Sequence, residues 1–147
     1  MTPASQSVVI LLVEDDEGHR LLIRESLRAG GIINTVVEAQ DGQQALDYLF
    51  DQSALRRSES ADRPGLILLD IKLPKVDGFA VLAAIKKDER LRQIPVVMLT
   101  STDDQVEINR CYELGASSYI VKPVRYDEFQ ARVKALGLFL EIVRFPR

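Results

Sequence analysis

The chain has 147 residues, of which 46% are hydrophobic and 28% are charged, and its 19 Lys and Arg against 22 Asp and Glu give a formal net charge of −3. This length and composition predict a single globular domain over residues 1–147 and exclude the collagen-like, disordered and disulfide-rich classes. The slight acidic excess argues against binding to nucleic acid, which depends on a basic surface.

The single cysteine, Cys111, permits no disulfide within the chain and provides no cluster for a structural metal. We expect it to be a small buried side chain in a helix. The N-terminal residues MTPASQS lack the pattern of a secretion signal, and no run approaches the ~20 apolar residues that a membrane span needs. We therefore expect a cytoplasmic protein that makes no contact with a membrane.

Five short apolar runs predict five strands. They are rich in β-branched residues and almost continuously apolar, which is typical of parallel strands that are covered on both faces. In chain order they are VVILLV at 8–13, TVVEA at 35–39, LILLD at 66–70, VVMLT at 96–100 and SYIV at 118–121.

Segments with helical spacing lie between these runs. The apolar residues that share a helical face are Leu46, Leu49 and Phe50, then Phe79, Leu82 and Ile85, and more weakly Val106 and Leu114. Glycines at Gly30, Gly31 and Gly115 stand where helices are expected to end. The polar stretch 51–64 predicts an enlarged surface loop before the third strand.

Strand and helix thus alternate five times along the chain. This order predicts an α/β fold with a doubly wound, five-stranded parallel sheet and helices on both faces. In such sheets ligands bind beyond the carboxyl ends of the strands. The functional site is therefore expected at those ends.

The residues at the strand ends carry charge and hydroxyl groups. Glu14 and Asp15 follow the first strand, Asp70 and Thr100 end the third and fourth, and Lys122 follows the fifth. Two carboxylates about 4 Å apart repel by roughly 4 kcal/mol at an effective dielectric near 20, so a cluster of three favours a bound cation. All-oxygen ligands favour Mg²⁺. The set predicts phosphoryl transfer onto Asp70.

A simpler interpretation applies to part of this acidic run. Acidic residues that follow a strand commonly cap the next helix, and Asp15 or Asp16 can serve that purpose alone. The capping interpretation explains single residues, but it does not explain the whole set at matched strand ends.

Four motifs together resemble the receiver domain of two-component response regulators. They are VEDD at 13–16, LLDIKLPKVDG at 68–78, VVMLTS at 96–101 and GASSYIVKP at 115–123. The resemblance covers about residues 8–143. It implies the flavodoxin-like (CheY-like) fold with strand order 2-1-3-4-5.

The resemblance also implies a role for each residue of the site. Asp70 would accept the phosphoryl group, Thr100 would swing to bond it, Lys122 would pair with it, and Tyr119 would be the aromatic switch. The ligands of Mg²⁺ would be Asp70, Asp15, Glu14 through water, and the backbone carbonyl of Lys72. The bond between Lys122 and Pro123 is often cis in such domains.

A histidine kinase is the partner that the resemblance implies, and the protein would signal by changed protein contacts rather than as an enzyme. Two alternatives are retained. One is a Mg²⁺-dependent phosphohydrolase with an aspartate nucleophile, but haloacid-dehalogenase-like enzymes need a second aspartate where this chain has Lys72. The other is an unphosphorylated interaction scaffold.

Three positions near the expected site need separate comment. Lys72 stands where many receivers have a smaller or neutral residue. Its ammonium would either reach the phosphoryl oxygens and alter the lifetime of the acyl phosphate, or remain solvated. Thr102 is the other position expected to line the path of water. His19 is predicted to be a surface residue, because a zinc site would need another histidine or cysteine.

Residues 127–147 predict a hydrophobic C-terminal helix and tail. One helical stripe is formed by Phe129, Val133, Leu136, Leu140 and Val143, and the apolar residues outside it are Leu138, Phe139, Ile142 and Phe145. This surplus predicts a homodimer through the fifth helix and its neighbouring strand, or else extra packing within the same domain.

The long loop and the C-terminal sequence RFP resemble the stand-alone regulators of cyanobacterial and bacterial phytochromes. This resemblance implies a light-sensing histidine kinase as the partner. Because the receiver motifs occupy the chain to about residue 124, we expect no separate output domain.

Overall fold

The computed structural model of the chain describes residues 8–50, 63–101 and 103–142. The strands are β1 (Val9–Val13), β2 (Val36–Ala39), β3 (Pro64–Asp70), β4 (Val96–Thr100) and β5 (Ser118–Val121). The helices are α1 (Glu17–Ala29), α2 (Gly42–Phe50), α3 (Gly78–Lys87), α4 (Gln105–Glu113), α5 (Tyr126–Ala135) and α6 (Phe139–Ile142). None of these helices is long and apolar enough to cross a membrane.

The five strands form one parallel sheet in the order β2-β1-β3-β4-β5, as predicted. The order reverses between β1 and β3, where the winding changes direction and where such sheets bind ligands. Most strand bounds agree with the apolar runs, but β3 begins at Pro64, two residues earlier than expected. Proline is tolerated there because it is the first residue of the strand. The remainder of the predicted loop, 51–62, lies outside the described residues.

Both faces of the sheet are buried, which explains why the strands read as continuous apolar runs. In β1, Leu11 and Val13 join the core cluster on the side of α2, α3 and α4. Ile10 and Leu12 point the other way, into the cluster formed with α1 and α5. All four side chains are 0% exposed.

Aspartates cap the N-termini of two helices, and glycines follow the ends of two helices at the positions that the sequence indicates. Asp16 and Asp77 are the N-caps of α1 and α3 and accept hydrogen bonds from backbone N–H groups three residues on, each at 2.9 Å. Gly30 is the C-cap of α1, and Gly31 follows it with φ 91°. Gly115, with φ 106°, follows the end of α4.

The predicted buried face of α4 is wrong in part. Val106 is 75% exposed, whereas Ile108 and Cys111 are buried. Cys111 contributes to the buried face of α4, for which the sequence pattern had indicated Val106 and Leu114, since a thiol packs like a small apolar group. Cys111 is buried as predicted, and burial raises the pKa of its thiol.

The C-terminal stretch is two helices rather than one. Gly137, with φ 76°, ends α5 in a conformation that favours glycine, and α6 then returns toward the domain. Phe129 and Val133 of α5 are each 1% exposed, as the predicted stripe requires.

The apolar surplus of this stretch packs on the domain itself over the part that the structure describes. Ile142 is 1% exposed, and the partly buried Leu138 and Phe139 pack on the same core cluster. These three residues therefore follow the alternative of extra packing within the same domain, because the turn at Gly137 redirects the chain. The side chains of Leu140 and Glu141, and residues 143–147, lie outside the described residues.

Candidate active site

Three carboxylates meet at the carboxyl ends of β1 and β3. Neighbouring positions Val13 and Leu69 pair across these strands, so the residues that follow them lie side by side. One carboxylate oxygen from each of Glu14, Asp15 and Asp70 lies within 4.8 Å of the others. Glu14 is 0% and Asp70 4% exposed, whereas Asp15 is exposed.

Lys122 brings the only ammonium among the described residues that contacts this cluster. Its Nζ lies 2.7 Å from Glu14 Oε1 and 3.2 Å from Asp70 Oδ2. The residue follows β5, and its backbone N–H donates to the carbonyl of Thr100 at 2.7 Å. The peptide bond between Lys122 and Pro123 is cis, as the resemblance implies.

The two partners of this ion pair have shifted pKa values. Burial, followed by the nearby charge of Glu14, raises the pKa of Asp70 to about 6, although Lys122 opposes the shift. Burial acts to lower the pKa of Lys122, but the hydrogen bond to Glu14 and the charges of Asp70 and Glu14 raise it overall. The site therefore holds an ionised lysine beside a carboxylate that is costly to keep charged.

Glu14 is held from three sides. Its Oε2 accepts from the backbone N–H of Asp16 at 3.0 Å, its Oε1 accepts from Lys122, and its backbone carbonyl accepts from Arg20 Nη1 at 2.9 Å. The first two bonds satisfy a fully buried carboxylate, which would otherwise be costly. They also fix its orientation in the cluster.

The acidic run at 14–16 is divided between two tasks. Asp16 caps α1 by accepting from the backbone N–H of His19, and this hydrogen bond lowers the pKa of Asp16. Asp15 points its carboxylate toward the cluster instead. The capping interpretation therefore applies to Asp16, whereas Asp15 is available to a cation.

The remaining expected residues lie around this cluster. Thr100 ends β4, the neighbour of β3, and is 2% exposed. The partly buried ring of Tyr119 on β5 makes an edge contact with Tyr112, with centroids 6.1 Å apart, and the guanidinium of Arg132 lies 4.7 Å from its centroid. Lys72 is exposed in the β3–α3 loop. Thr102 lies outside the described residues.

Sequence reasoning missed a glycine behind the candidate nucleophile. A Cβ at Gly78 would collide with the carbonyl oxygen of Asp70 and with the backbone of Ile71, and the Gly78 N–H donates to Ile71 O at 2.7 Å. Only glycine lets the start of α3 approach the end of β3 this closely. The signal in the sequence is the glycine at the first position of a helix, directly after the capping Asp77.

His19 is the second residue whose place was missed. Its side chain is 47% exposed, as expected of a surface residue, but its Nδ1 lies 3.3 Å from Lys122 Nζ and 3.6 Å from Glu14 Oε2. The available signal was its position three residues after the helix cap, in the turn of α1 that begins above the strand ends.

The arrangement is suited to an acidic nucleophile that works with cations. All-oxygen donors from Glu14, Asp15 and Asp70 fit a hard divalent cation such as Mg²⁺. The ammonium of Lys122 adds a second positive charge at Asp70. Such a set can stabilise the charge of a phosphoryl group on a carboxylate.

The comparison with protein families decides what this fold is. The sequence profile of the response regulator receiver domain matches residues 10–134, which is most of the chain. The chain belongs to this receiver domain family. This membership favours the signalling interpretation over the phosphohydrolase.

Two regulatory proteins of similar sequence agree with this family membership. It is 38% identical to the probable methanogenesis regulatory protein FilR2 of Methanothrix harundinacea over 90% of this chain and 83% of that protein. It is 37% identical to the response regulator Rcp1 of Synechocystis sp. over 94% of this chain and 92% of that protein.

Two solved structures extend the comparison. The bacteriophytochrome response regulator AtBRR is 43% identical, with a TM-score of 0.80 over 90% of this chain and 94% of that one. The Mn²⁺-bound form of Rcp1 is 37% identical, with a TM-score of 0.73 over 95% of this chain and 99% of that one. The fold of this receiver domain is thus that of response regulators along nearly its whole length.

Proposed function

We propose that this receiver domain accepts a phosphoryl group from a histidine kinase on Asp70 and passes the signal on through changed protein contacts. The observation that carries the proposal is Lys122 Nζ, which lies 3.2 Å from Asp70 Oδ2 inside a cluster with two further carboxylates. A carboxylate nucleophile beside a fixed ammonium and a cation site suits phosphoryl transfer.

In the proposed step, a carboxylate oxygen of Asp70 forms a bond to phosphorus while the bond from phosphorus to the donor's imidazole nitrogen breaks. The electron pair of that bond stays on the imidazole, which takes up a proton, and the product is an acyl phosphate. Lys122 pairs with the phosphoryl oxygens, and the hydroxyl of Thr100 donates to them.

The proposed metal is Mg²⁺, with Asp15 and Asp70 as direct ligands, Glu14 acting through water, and the backbone carbonyl of Lys72 as a further ligand. Its support is the all-oxygen donor set, together with a related protein, Rcp1, that has been solved with Mn²⁺. When bound, the ion neutralises charge on the transferred group.

Tyr119 is proposed to carry the change to the surface. Its partly buried ring touches Tyr112 of α4 and Arg132 of α5, so a movement of the ring alters both helices. A new phosphoryl group carries a charge of about −2 and would draw Thr100 toward it. This movement of Thr100 would favour a different position of the Tyr119 ring. An NMR spectrum in which the ring signals of Tyr119 stay unchanged on phosphorylation would contradict this role.

The test is incubation with Mg²⁺ and acetyl phosphate, followed by measurement of the intact mass. We expect the wild type to gain one phosphoryl group, Asp70→Asn to gain none, and omission of Mg²⁺ to prevent the gain. Asp47→Asn is the matched control, since Asp47 is exposed on α2. No gain by the wild type under Mg²⁺ would leave an unphosphorylated scaffold as the function.

The kinase is proposed to be a light-sensing phytochrome. The support is the similarity to AtBRR, which is a bacteriophytochrome response regulator. The similarity to FilR2 shows that relatives at comparable identity are named for other processes. Phosphotransfer from a purified phytochrome kinase, compared with transfer from an unrelated histidine kinase at equal concentration, tests the choice; equal rates would contradict it.

A homodimer through α5 and the neighbouring edge strand β5 is also proposed. The apolar residues described after α5 no longer support this dimer, because they pack on the domain itself. What supports it is that β5 ends the sheet and that Tyr112 beside it is 44% exposed. Light scattering before and after phosphorylation measures the mass, and a monomer in both states would contradict the proposal.

A further inference from the structure

His19 lies at the mouth of the carboxylate cluster. It belongs to the first turn of α1, which is fixed because its backbone N–H donates to the capping carboxylate of Asp16 at 2.9 Å. Its imidazole Nδ1 is 3.3 Å from Lys122 Nζ. The side chain of His19 is 47% exposed, whereas that of Lys122 is only 9% exposed.

The contact completes the hydrogen bonding of that ammonium. A lysine ammonium has three N–H donors and accepts nothing. The acceptors around Lys122 Nζ are Glu14 Oε1 at 2.7 Å, Asp70 Oδ2 at 3.2 Å and His19 Nδ1 at 3.3 Å. Each donor therefore has one acceptor, two of them buried carboxylates and the third the imidazole.

The hydrogen bond from Lys122 requires one particular tautomer of the His19 ring. To accept from Lys122, Nδ1 carries no proton, which places the ring proton on Nε2. A protonated ring paired with Glu14 fits less well, because Nδ1 is 3.6 Å from Glu14 Oε2 and that oxygen already accepts from the backbone N–H of Asp16.

We propose that His19 is a positioning residue for phosphoryl transfer, whose Nδ1 holds the ammonium of Lys122 beside Asp70. The proposal rests on the proposed function of Asp70. Lysine has a flexible side chain and loses rotamer freedom when its ammonium is held in one place. A third hydrogen bond restricts the ammonium before the reaction, so it need not reorganise when charge develops on the phosphoryl oxygens.

The first experiment compares variants of His19 in phosphorylation by acetyl phosphate with Mg²⁺. We expect His19→Ala to react about fivefold more slowly, as the loss of one hydrogen bond in the transition state predicts. His19→Asn should restore most of the rate, because its side-chain oxygen stands near the position of Nδ1. His19→Gln, whose amide is one bond farther out, should not. Equal rates for Ala and wild type would overturn the proposal.

A double-mutant cycle shows whether His19 acts through Lys122. In a Lys122→Met background, His19→Ala should cause no further loss of rate, because the ammonium that it positions is gone. The same fivefold loss in both backgrounds would mean that His19 acts on the donor directly, and the positioning role would be wrong.

The second measurement does not depend on phosphorylation. The rate at which an acylating reagent modifies the Lys122 amine is followed by mass spectrometry, with the exposed Lys72 as an internal reference. We expect His19→Ala to raise the relative rate at Lys122 about threefold, since the third hydrogen bond of the ammonium is removed, and His19→Asn to reverse the rise. An unchanged rate at Lys122 would contradict the contact.

The two measurements separate the proposal from the function on which it rests. If the wild type gains no phosphoryl group, the proposed function fails, whereas the labelling experiment still decides whether His19 holds Lys122. If the wild type is phosphorylated and the variants neither slow the reaction nor expose Lys122, only the role of His19 fails.

Discussion

At the scale of single residues, the buried carboxylate of Asp70 has an electrostatic cost when it is ionised. Burial and the charge of Glu14 raise its pKa from 3.8 to about 6, against the opposing ammonium of Lys122. The burial and neighbouring charge that suit Asp70 to the proposed phosphoryl transfer therefore oppose folding, as is common at functional sites.

This cost predicts a stability that depends on pH. The folded state binds the Asp70 proton more tightly than the unfolded state does, so stability falls as the pH rises from about 4 to about 6. Asp70→Asn cannot titrate and should be more stable than wild type by about 2–3 kcal/mol at pH 7.5, with little difference at pH 4. Urea denaturation in a chelating buffer measures this, and Asp47→Asn is the control. A benefit that is equal at both pH values would contradict the cause.

Lys72 offers a second prediction at this scale. Its exposed side chain stands two residues beyond Asp70, where an ammonium that reached the phosphoryl oxygens would alter attack by water. We expect Lys72→Ala to change the lifetime of the acyl phosphate by about threefold or more, as a charge-assisted hydrogen bond predicts. Lys87→Ala is the control, and equal lifetimes for Lys72→Ala and wild type would show that the lysine is only a solvated loop residue.

At the scale of elements, the contact between the end of β3 and the start of α3 holds the site from behind. Gly78→Ala would push a methyl group into the carbonyl of Asp70, so we expect a loss of about 1–3 kcal/mol in stability and slower phosphorylation. Ala80→Ser, an added atom at an exposed position of the same helix, should change neither property. Unchanged stability and unchanged phosphorylation in Gly78→Ala would show that the backbone at the end of β3 can move to accommodate the methyl group.

The short helix α6 provides the other prediction about an element. Ile142 is 1% exposed in the core cluster of α1 and α5, so Ile142→Ala should cost about 2 kcal/mol, at the low end for buried residues because a terminal helix can relax. Ile33→Ala, at a side chain that is 69% exposed, is the control. If thermal unfolding of Ile142→Ala matches wild type, α6 does not contribute to the fold in solution.

At the scale of the whole molecule, a bound cation would join two neighbouring strands. Mg²⁺ held by Glu14, Asp15 and Asp70, as proposed, would bind the folded chain only, so at one hundred times its dissociation constant it should stabilise the protein by about 2.7 kcal/mol. Denaturation with Mg²⁺ or with a chelator measures the difference. Asp15→Asn, a change at an exposed ligand, should remove most of it. Stabilisation that survives in this variant would point to another metal site.

Much of this architecture follows from local patterns in the sequence. Continuous apolar runs predict buried parallel strands, because each face of the sheet is covered by helices, and glycines such as Gly115 mark helix ends. The set of Glu14, Asp15, Asp70 and Lys122 was also predictable, since parallel strands align their carboxyl ends. Periodicity failed on α4, where Cys111 counts as an apolar residue and Val106 is exposed.

By itself, the sequence determined the order of the elements, the two-sided core and the strand ends at which the site lies, because these depend on patterns between residues near in the chain. Only the tertiary structure decided that Asp15 faces the cluster while Asp16 caps α1, that Gly137 returns α6 to the core, and that His19 meets Lys122. Apart from the local cap of Asp16, those outcomes depend on distances between residues far apart in the chain, which no local pattern records.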